Sequence, residues 1–188
     1  MDYVFETDPF PHQREKFLAH RDARAWGHLW EMGTGKSKED IDQTAWNFEE
    51  GNIDGLVVVA PNGVHENWVT DEIPKHLPAR LRDRTRTFAY HSSKAGNVGH
   101  QRECQELLAH DGLAILAISY DAVVTGRTKK WMGGRAFVEK FLRVRDAKMT
   151  LDESSRIKNA GAKRTRAICA IGKGAEMRLI YTGTPVPN

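Results

Sequence analysis

The sequence predicts an α/β domain with a mainly parallel sheet flanked by helices. Short β-rich segments alternate with longer amphipathic segments along the chain, a pattern typical of parallel sheets with crossover helices. Two of the β-rich segments, at 55–60 and 113–119, are apolar throughout instead of alternating, as expected for strands that are buried on both faces. The length of 188 residues suits a domain with a core of its own.

The first predicted elements have boundaries marked by proline and glycine. Pro11 stands at an early helical position, where its missing N–H costs little, and Gly51 ends a later helix whose apolar residues share one face. A Pro-Asn-Gly turn then separates a buried strand from the next helix. In order, we predict a helix at 11–21, a strand at 26–31, a helix at 36–50, a strand at 55–60 and a helix at 64–73.

The second half of the chain continues the same alternation. A polar loop at 91–99 precedes a helix, and a later helix carries Phe137, Phe141 and Leu142 on its inward face. In order, we predict a strand at 85–90, a helix at 100–110, a strand at 113–119, a helix at 129–145, a strand at 147–151, a basic helix at 161–171 and a strand at 177–182.

The composition excludes several classes of protein. Hydrophobic residues make up 40% and charged residues 28% of the chain, a balance that excludes a disordered or fibrous protein. The longest apolar runs are too short to cross a bilayer, and the acidic N-terminus does not resemble a secretory signal. Cys104 and Cys169 are therefore expected to be free thiols in a reducing compartment. These features predict a cytoplasmic protein without a membrane partner.

The charge is distributed unevenly along the chain. The net charge is only +3, but residues 129–188 contain 14 Lys and Arg against 5 Asp and Glu, whereas residues 1–128 have an excess of acidic residues. A basic third facing an acidic remainder favours a surface for polyanions. A solvated basic face without a partner is the alternative, and the charge by itself does not separate the two.

A glycine-containing segment between a predicted strand and a predicted helix is the main functional signal. Its residues are Gly33, Thr34, Gly35, Lys36 and Ser37. The glycines allow backbone N–H groups to turn around an anion, and the following helix directs its N-terminal dipole at that anion. The lysine can reach the β- and γ-phosphates of a nucleotide, and the serine hydroxyl can ligate Mg²⁺. The segment therefore predicts a site for ATP and Mg²⁺.

An acidic pair follows a later strand and complements this phosphate loop. Asp152 and Glu153 end an apolar segment, and a carboxylate at the carboxyl end of a strand in an open α/β sheet projects into the ligand crevice. Asp152 can hold Mg²⁺ through water, and Glu153 can orient or deprotonate the attacking water. An isolated Asp-Glu pair is more often an exposed turn, but the phosphate loop favours a catalytic set of Lys36, Asp152 and Glu153.

Six short segments occur in a defined order along the chain. They are Phe10 to Gln13, Glu31 to Ser37, Val59 to Pro61 with Asn67, Trp68 and Glu72 downstream, Ser119-Tyr120, Asp152 to Asn159, and Thr182 to Pro185 with Asn188. In this order they resemble the motifs of the first RecA-like lobe of superfamily-2 helicases, above all SWI/SNF-type translocases and their phage relatives. The resemblance covers nearly the whole chain. Its Arg-Ile-Lys-Asn and Thr-Gly-Thr-Pro segments indicate the translocase branch rather than DEAD-box RNA helicases.

The resemblance implies a RecA-like P-loop NTPase in which residues 1–188 form a single ATP-binding domain. It implies that Gln13 reads the adenine edge and that the loop from Gly33 to Ser37 holds the phosphates. Ser37 and Asp152 would serve Mg²⁺, and Glu153 would serve the attacking water.

The resemblance also implies a nucleic-acid partner, with double-stranded DNA favoured over RNA, in a bacterial or phage-infected cell. The residues expected along the DNA or in coupling nucleotide state to DNA contact are Pro61, Asn62, Ser119, Tyr120, Thr182 and Thr184. The sequence lacks the motifs of a second RecA-like lobe, which is expected as a partner in cis or in trans. Because that lobe supplies arginine fingers, which contribute about 10³–10⁵ in rate in related chemistry, we expect ATP binding but little turnover by this chain alone.

Two positions depart from the family pattern, and two other functions stay open. Trp30 occupies the place of the usual first glycine of the phosphate loop, and Ser154-Ser155 replaces the usual Ala-His or Ala-Asp. The alternatives are a stand-alone nucleotide- or DNA-binding module and a small-molecule kinase, against which the motif Ia and motif III segments argue. We interpret most of the tryptophans as packing residues, and we expect no zinc site at His100 and Cys104 because their spacing matches no zinc pattern.

Overall fold

The computed structural model describes residues 3–29, 33–124 and 132–183. Within these residues six strands form one sheet, in which every neighbouring pair is parallel. The strands are β1 (Ala25–His28), β2 (Gly55–Ala60), β3 (Thr85–Tyr90), β4 (Leu113–Ser119), β5 (Ala147–Leu151) and β6 (Met177–Tyr181). Their order across the sheet is β1-β6-β5-β2-β4-β3. The predicted α/β class is confirmed, and this sheet is parallel throughout.

Helices occupy the connections between the strands. They are α1 (Pro11–His20), α2 (Lys36–Glu49), α3 (Val64–Asn67), α4 (Ile73–His76), α5 (Ala79–Arg82), α6 (Val98–Leu108), α7 (Tyr120–Val124), α8 (Gly134–Val144) and α9 (Lys163–Gly172). A π-helix (Trp68–Glu72) joins α3 to α4, and short 3₁₀ helices occupy Ser92–Lys94 and Ser154–Ile157. In the described part of the chain, no helix combines the length and the apolar character that crossing a membrane requires.

Strand β2 lies at the centre of the sheet and contributes to two cores. Its residues are fully buried, and successive side chains point to opposite faces. Val57 packs on one face in a cluster that includes Phe137 of α8, whereas Leu56 packs on the other in a cluster that includes Ile41 of α2 and Trp68. The domain therefore has three layers, with helices on both faces of the sheet.

The sequence predicted the strands more accurately than the helices. The limits of β2, β3, β4 and β5 match the prediction, whereas β1 begins at Ala25 and ends at His28 instead of spanning the predicted 26–31. The predicted helix at 64–73 consists of α3, the π-helix and α4, and the predicted helix at 129–145 is observed from Gly134 onward, with 129–131 outside the described residues. Helices α5 and α7 were not predicted, since each is too short to show a helical period.

Helix α2 is buried on all sides, which its charged sequence did not indicate. Its residues from Lys38 to Asn47 are all buried, and several of them are ionisable. Lys148 of β5 is completely buried and forms an ion pair with Asp40 of α2. The Lys148 ammonium also donates hydrogen bonds to the Asp40 carbonyl and to Gln43 Oε1, each at 3.0 Å. Burial lowers the pKa of Lys148, and the carboxylate of Asp40 opposes that shift.

Removing the ammonium of this buried pair is expected to destabilise the domain strongly. In Lys148→Met the Asp40 carboxylate stays buried without its cation, which typically costs about 3–5 kcal/mol in the free energy of unfolding. Urea unfolding measures the loss, and a second substitution, Asp40→Leu, should recover much of it because no unpaired charge remains.

The partly exposed pair between Arg135 and Glu139, at 2.8 Å, provides the matched control. Arg135→Met should change stability by less than about 1 kcal/mol. Equal losses in the free energy of unfolding for Arg135→Met and Lys148→Met would show that the buried pair matters no more for stability than the control pair does.

Candidate nucleotide-binding site

The parallel sheet brings the predicted motifs to one edge. Because all strands point the same way, the segments that follow their carboxyl ends meet on one side of the domain. The phosphate loop comes after β1, Pro61 directly after β2, Asp152 directly after β5 and Thr182 directly after β6. Segments far apart in sequence therefore share one crevice.

The described part of the phosphate loop has the backbone geometry of an anion cradle. Gly33 and Gly35 have φ angles of 78° and 75°, in the left-handed region that glycine tolerates. Helix α2 begins directly afterwards at Lys36, and its N-cap residue, Gly35, provides no side chain to cap the first N–H groups. The helix dipole and these N–H groups point towards the loop, where an anion is favoured. Glu31 and Met32 of the motif lie outside the described residues.

Gln13 is buried against the phosphate loop. Its side-chain oxygen accepts a hydrogen bond from the Phe10 N–H at 2.9 Å, and its amide nitrogen donates to the carbonyls of Thr34 at 3.1 Å and Gly35 at 3.4 Å. A Cβ atom on Gly35 would lie 2.1 Å from that amide nitrogen, so a larger residue would displace the Gln13 side chain and would also be strained at a φ of 75°. The predicted contact between Gln13 and adenine stays a prediction, but Gln13 clearly positions the loop.

Asp152 is held from three directions at the end of β5. Trp68 donates its indole N–H to Asp152 Oδ2 at 3.1 Å, and the Tyr120 hydroxyl donates to the Asp152 carbonyl at 2.8 Å. The Asp152 N–H donates to the carbonyl of Val59 in β2 at 2.9 Å. Burial raises the pKa of Asp152, the Trp68 hydrogen bond lowers it, and the nearby Glu153 and Asp40 carboxylates raise it further.

Glu72 is a further acidic residue at this site, and the sequence analysis assigned it no role. It lies at the end of the π-helix, and burial raises its pKa while a hydrogen bond with Ser37 opposes that shift. The Asp152 carboxylate also raises the pKa of Glu72. Ser37, Glu72 and Asp152 therefore belong to one electrostatic cluster. The π-helix is the structural signal for such a role, because these helices occur frequently at functional sites.

The Trp68 side chain also has a function beyond the packing role that we expected for it. It is almost completely buried, as the packing interpretation required, yet its indole N–H binds the carboxylate that is predicted to serve Mg²⁺. Buried indole N–H groups usually have a hydrogen-bond partner. The sequence does not reveal which partner.

Glu153 has an uncommon backbone conformation. Its φ angle is 52°, and it is the only described residue other than glycine with a positive φ. Such a conformation costs of order 1–3 kcal/mol and occurs preferentially at functional sites. It turns the chain from β5 into the 3₁₀ helix that follows and leaves the Glu153 side chain partly exposed at the edge of the sheet.

The residues predicted to contact DNA lie at the same edge but differ in exposure. Asn62 is exposed, whereas Ser119 and Tyr120 are buried, and Ser119 Oγ accepts a hydrogen bond from the Ala122 N–H at 3.2 Å. The Thr182 N–H donates to the His28 carbonyl at 3.1 Å, which joins the end of β6 to the end of β1. Pro61 is buried, and Thr184 lies outside the described residues. Contact of these residues with DNA stays a prediction.

Exposed basic residues follow the acidic pair. Arg156, Lys158, Lys163 and Arg166 are exposed along the 3₁₀ helix and α9, whereas Arg164 forms an ion pair with Asp121. These residues place positive charge on the protein surface next to the crevice. The surface is suited to a polyanion or to an acidic protein surface.

The donor set fits a nucleotide with its Mg²⁺. The phosphate loop offers backbone N–H groups, Lys36 and the Ser37 hydroxyl, while the facing side offers the Asp152 and Glu72 carboxylates. Oxygen ligands of this kind are those that Mg²⁺ prefers, and the ion is usually held by one or two carboxylates together with substrate phosphates. The raised pKa values of both carboxyl groups are consistent with a site that gains a cation when it is filled.

Comparisons with known proteins agree with this geometry. A family model described as SNF2-related domain matches residues 12–188. The DNA excision repair protein ERCC-6-like of Mus musculus is 29% identical over 185 residues, which cover 95% of this chain and 13% of that protein. The chromatin-remodeling ATPase INO80 of Mycosarcoma maydis is 28% identical over 167 residues, covering 84% of this chain and 8% of that protein. The chain thus spans a small part of these relatives.

Solved structures show the same fold. The Sulfolobus solfataricus SWI2/SNF2 ATPase core in complex with dsDNA aligns with a TM-score of 0.67 at 19% identity, over 98% of this chain and 34% of that chain. The UvsW helicase from bacteriophage T4 aligns with a TM-score of 0.58 at 14% identity, over 95% of this chain and 53% of that chain. These likenesses confirm the predicted RecA-like fold.

Removal of the indole N–H from Trp68 is expected to weaken Mg²⁺ binding without unfolding the domain. Trp68→Phe keeps an aromatic ring but leaves Asp152 without its donor, and partners of this kind typically contribute 10–100-fold to metal affinity, so we expect a loss of about that size. Calorimetric titration of Mg·ADP at several Mg²⁺ concentrations measures it.

Trp46 provides a matched control, because its indole N–H donates to the Asp22 carboxylate at 2.7 Å. Trp46→Phe should leave Mg²⁺ dependence unchanged. If both variants lost affinity equally, the Trp68 effect would reflect general loosening of the fold.

Replacement of Asp152 by a neutral side chain is expected to stabilise the Mg²⁺-free domain at neutral pH. Because the folded pKa of Asp152 is raised, its ionised form destabilises the folded state as pH rises through that pKa. Asp152→Asn should raise the melting temperature at pH 7.5 by on the order of 2–4 °C for each kcal/mol of relieved repulsion.

The difference should shrink as the pH falls and Asp152 becomes protonated, because the two side chains are then both neutral. Thermal unfolding in EDTA at several pH values measures this trend, and Asp111→Asn, an exposed change, is the control. A lower melting temperature for Asp152→Asn at pH 7.5 would contradict the assignment.

Proposed function

This chain belongs to the SNF2-related domain family, and we propose that it is the Mg·ATP-binding first lobe of a DNA-dependent ATPase that translocates on double-stranded DNA. The proposal treats residues 1–188 as a single RecA-like domain. It depends most on one observation, the electrostatic cluster of Ser37, Glu72 and Asp152, which joins the phosphate-loop helix to the acidic end of β5.

The phosphates of ATP would lie over the phosphate loop. The N–H groups at the start of α2 would donate to the phosphate oxygens, and Lys36 would neutralise their charge. Mg²⁺, when bound, supplies charge neutralisation at the phosphates, and Ser37 and Asp152 would hold it. The buried hydrogen bonds of Gln13 keep Thr34 and Gly35 in position, so that the loop is preformed before the nucleotide arrives. Preformed donors cost little reorganisation when the ligand binds.

Hydrolysis would use Glu153 to orient or deprotonate the attacking water. The left-handed backbone of Glu153 separates its side chain from that of Asp152, so that one carboxylate serves the cation and the other serves the water. Arginine fingers are expected from a second RecA-like lobe, and without them we expect slow turnover. The proposal therefore assigns ATP binding to this chain and rapid hydrolysis to a two-lobed assembly.

The DNA partner is supported by charge and by the relatives. The exposed side chains Arg156, Lys158, Lys163 and Arg166 form a basic surface beside the crevice, and the aligned Sulfolobus solfataricus structure is described as a complex with dsDNA. Lys and Arg that contact phosphates provide most of the affinity for DNA, in a salt-dependent way. Double-stranded DNA is accordingly the preferred partner in the proposal, in the cytoplasm of a bacterial or phage-infected cell.

Lys36→Ala tests the nucleotide site directly. Loss of a charge-assisted contact worth about 1.5–3 kcal/mol should weaken Mg·ATP binding by about 10–100-fold or abolish it at accessible concentrations. Calorimetric titration of Mg·ATP and Mg·ADP measures the affinities. The exposed Lys173 provides the control, and Lys173→Ala should bind as the unsubstituted chain does.

The motor function requires a second experiment. A second RecA-like lobe of the family, fused to this chain or added separately, should raise ATP hydrolysis by orders of magnitude, and double-stranded DNA should raise it further, more than RNA does. ATP binding without any such stimulation would favour the stand-alone nucleotide-binding module. Rapid DNA-stimulated hydrolysis by the 188-residue chain alone would contradict the assigned need for a second lobe.

A further inference from the structure

Two histidines and a glutamate converge at a buried point next to the phosphate-loop helix. His20 ends α1, His28 ends β1 and Glu39 lies in the first turn of α2. The Nε2 atoms of His20 and His28 are 2.8 Å apart, and Glu39 Oε1 lies 2.6 Å from His20 Nε2 and 3.4 Å from His28 Nε2. All three side chains are at most 2% exposed. Three ligand atoms from three elements thus face one another at one buried point.

With an ionised Glu39, protons alone do not satisfy this arrangement, whereas a protonated Glu39 would satisfy it by donating its O–H to His20 Nε2. An imidazole nitrogen carries either a proton or an in-plane lone pair, and a carboxylate oxygen only accepts. If the proton of His20 Nε2 points at Glu39, the unprotonated Nε2 of His28 faces an electron-rich oxygen, and if His28 Nε2 is also protonated, two N–H groups face each other. In either case one of the three contacts joins two acceptors or two donors. A cation at the shared point makes all three contacts favourable.

Several polar atoms of these side chains are buried, although His20 Nδ1 is not one of the atoms at the shared point. Within the described residues, His20 Nδ1 and both carboxylate oxygens of Glu39 are buried without a hydrogen bond of normal geometry. Leaving such groups unsatisfied destabilises the folded state, most of all when the group is charged. Native proteins have few groups of this kind, and each requires an explanation such as an ion.

We propose that His20, His28 and Glu39 bind one divalent transition-metal ion, with zinc as the preferred ion. Imidazole and carboxylate ligands suit zinc, and two histidines with a glutamate form a known type of three-ligand set. Tetrahedral bonds of 2.0–2.1 Å separate the ligand atoms by about 3.3 Å, and the separations of 2.6, 2.8 and 3.4 Å need only small side-chain adjustments to reach this value. A water molecule would take the fourth position.

Neighbouring aromatic rings fix the orientation of both histidines. Tyr181 stacks on the His28 ring, with centroids 5.0 Å apart and an angle of 11° between the planes, and Trp26 packs edge-on against the His20 ring at 4.9 Å. Rigid packing of this kind holds ligands in position before the ion binds. The ion would join α1, which carries Gln13, to β1 and to α2, the helix that follows Gly33 and Gly35.

A second cluster of similar residues provides an internal control. His65, Glu66 and His91 also place three ligand atoms within 4.8 Å of one another, but Glu66 is exposed and His91 is partly exposed. Its centre is more open than that of the first cluster, in which all three side chains are buried. Substitutions in the second cluster therefore preserve the first and test whether any bound metal belongs there.

Metal binding to the refolded chain tests the proposal. Because the site is closed, the 188-residue chain is unfolded, freed of metal with a chelator and refolded with zinc or cobalt ions. We expect about one ion per chain, the visible absorption of four-coordinate cobalt, and zinc bonded only to nitrogen and oxygen at about 2.0–2.1 Å by X-ray absorption. Zinc at 100 times its dissociation constant should raise the melting temperature by on the order of 5–10 °C.

Two variants assign the ligands. Glu39→Gln keeps the size of the side chain but removes the anionic ligand, and His28→Gln removes an imidazole, so each should lose the cobalt spectrum and the zinc-dependent rise in melting temperature. The double variant Glu66→Gln with His91→Gln should retain both. Circular dichroism shows whether each variant is folded, and the X-ray absorption of the unsubstituted chain reports its two imidazole ligands even if a variant unfolds.

Three results would overturn the proposal. The first is a folded, unsubstituted chain that binds neither ion at one equivalent. The second is unchanged binding in folded Glu39→Gln and His28→Gln, and the third is loss of binding only in the Glu66→Gln/His91→Gln variant. None of these results depends on nucleotide binding, so the proposed ATPase function and this metal site can fail separately.

Discussion

The buried ion pair between Lys148 and Asp40 connects the two halves of the proposed nucleotide site. Asp40 lies one helical turn after Lys36, and Lys148 lies in β5, the strand that Asp152 directly follows. Joining them sets the distance between the phosphate loop and the acidic end of β5. Thr150 of the same strand adds a hydrogen bond to Asp40 at 3.2 Å. Because desolvation of two charges offsets much of their attraction, the pair contributes mainly by specifying the geometry.

The electrostatics of the site follow from this placement. With α2 and β5 fixed, the carboxyl groups of Glu72 and Asp152 are brought close together in a partly buried crevice, and burial raises the pKa of both. The fold thus holds acidic groups in a position that is unfavourable until a cation is present. Trp68 moderates this cost by donating its indole N–H to Asp152. The site is therefore less stable without Mg²⁺ than its packing alone would imply, a common relation between stability and function.

The N-terminal helix α1 and the first strand β1 also help to hold the phosphate loop in place. Gln13 of α1 holds the carbonyls of Thr34 and Gly35, and the far end of α1 meets β1 and α2 through His20, His28 and Glu39. The phosphate loop is thus supported from both ends of α1. A metal ion at the histidine cluster would stabilise this support at the point where hydrogen bonds alone leave buried polar atoms without partners.

The sequence by itself determined the local features of this protein. Continuous apolar runs fixed the limits of β2 and β4, because strands buried on both faces need such runs, and the phosphate loop and the Asp152-Glu153 pair were recognisable from residue types that their chemistry requires. Only the tertiary structure decided which distant residues meet. The charged face of α2 gave no sign that it would be buried against Lys148. The sequence also did not show which residue Trp68 would contact, or that the two histidines would lie against Glu39. These contacts depend on strand order and helix packing, which arise from the whole chain and leave no periodic signal in any one segment.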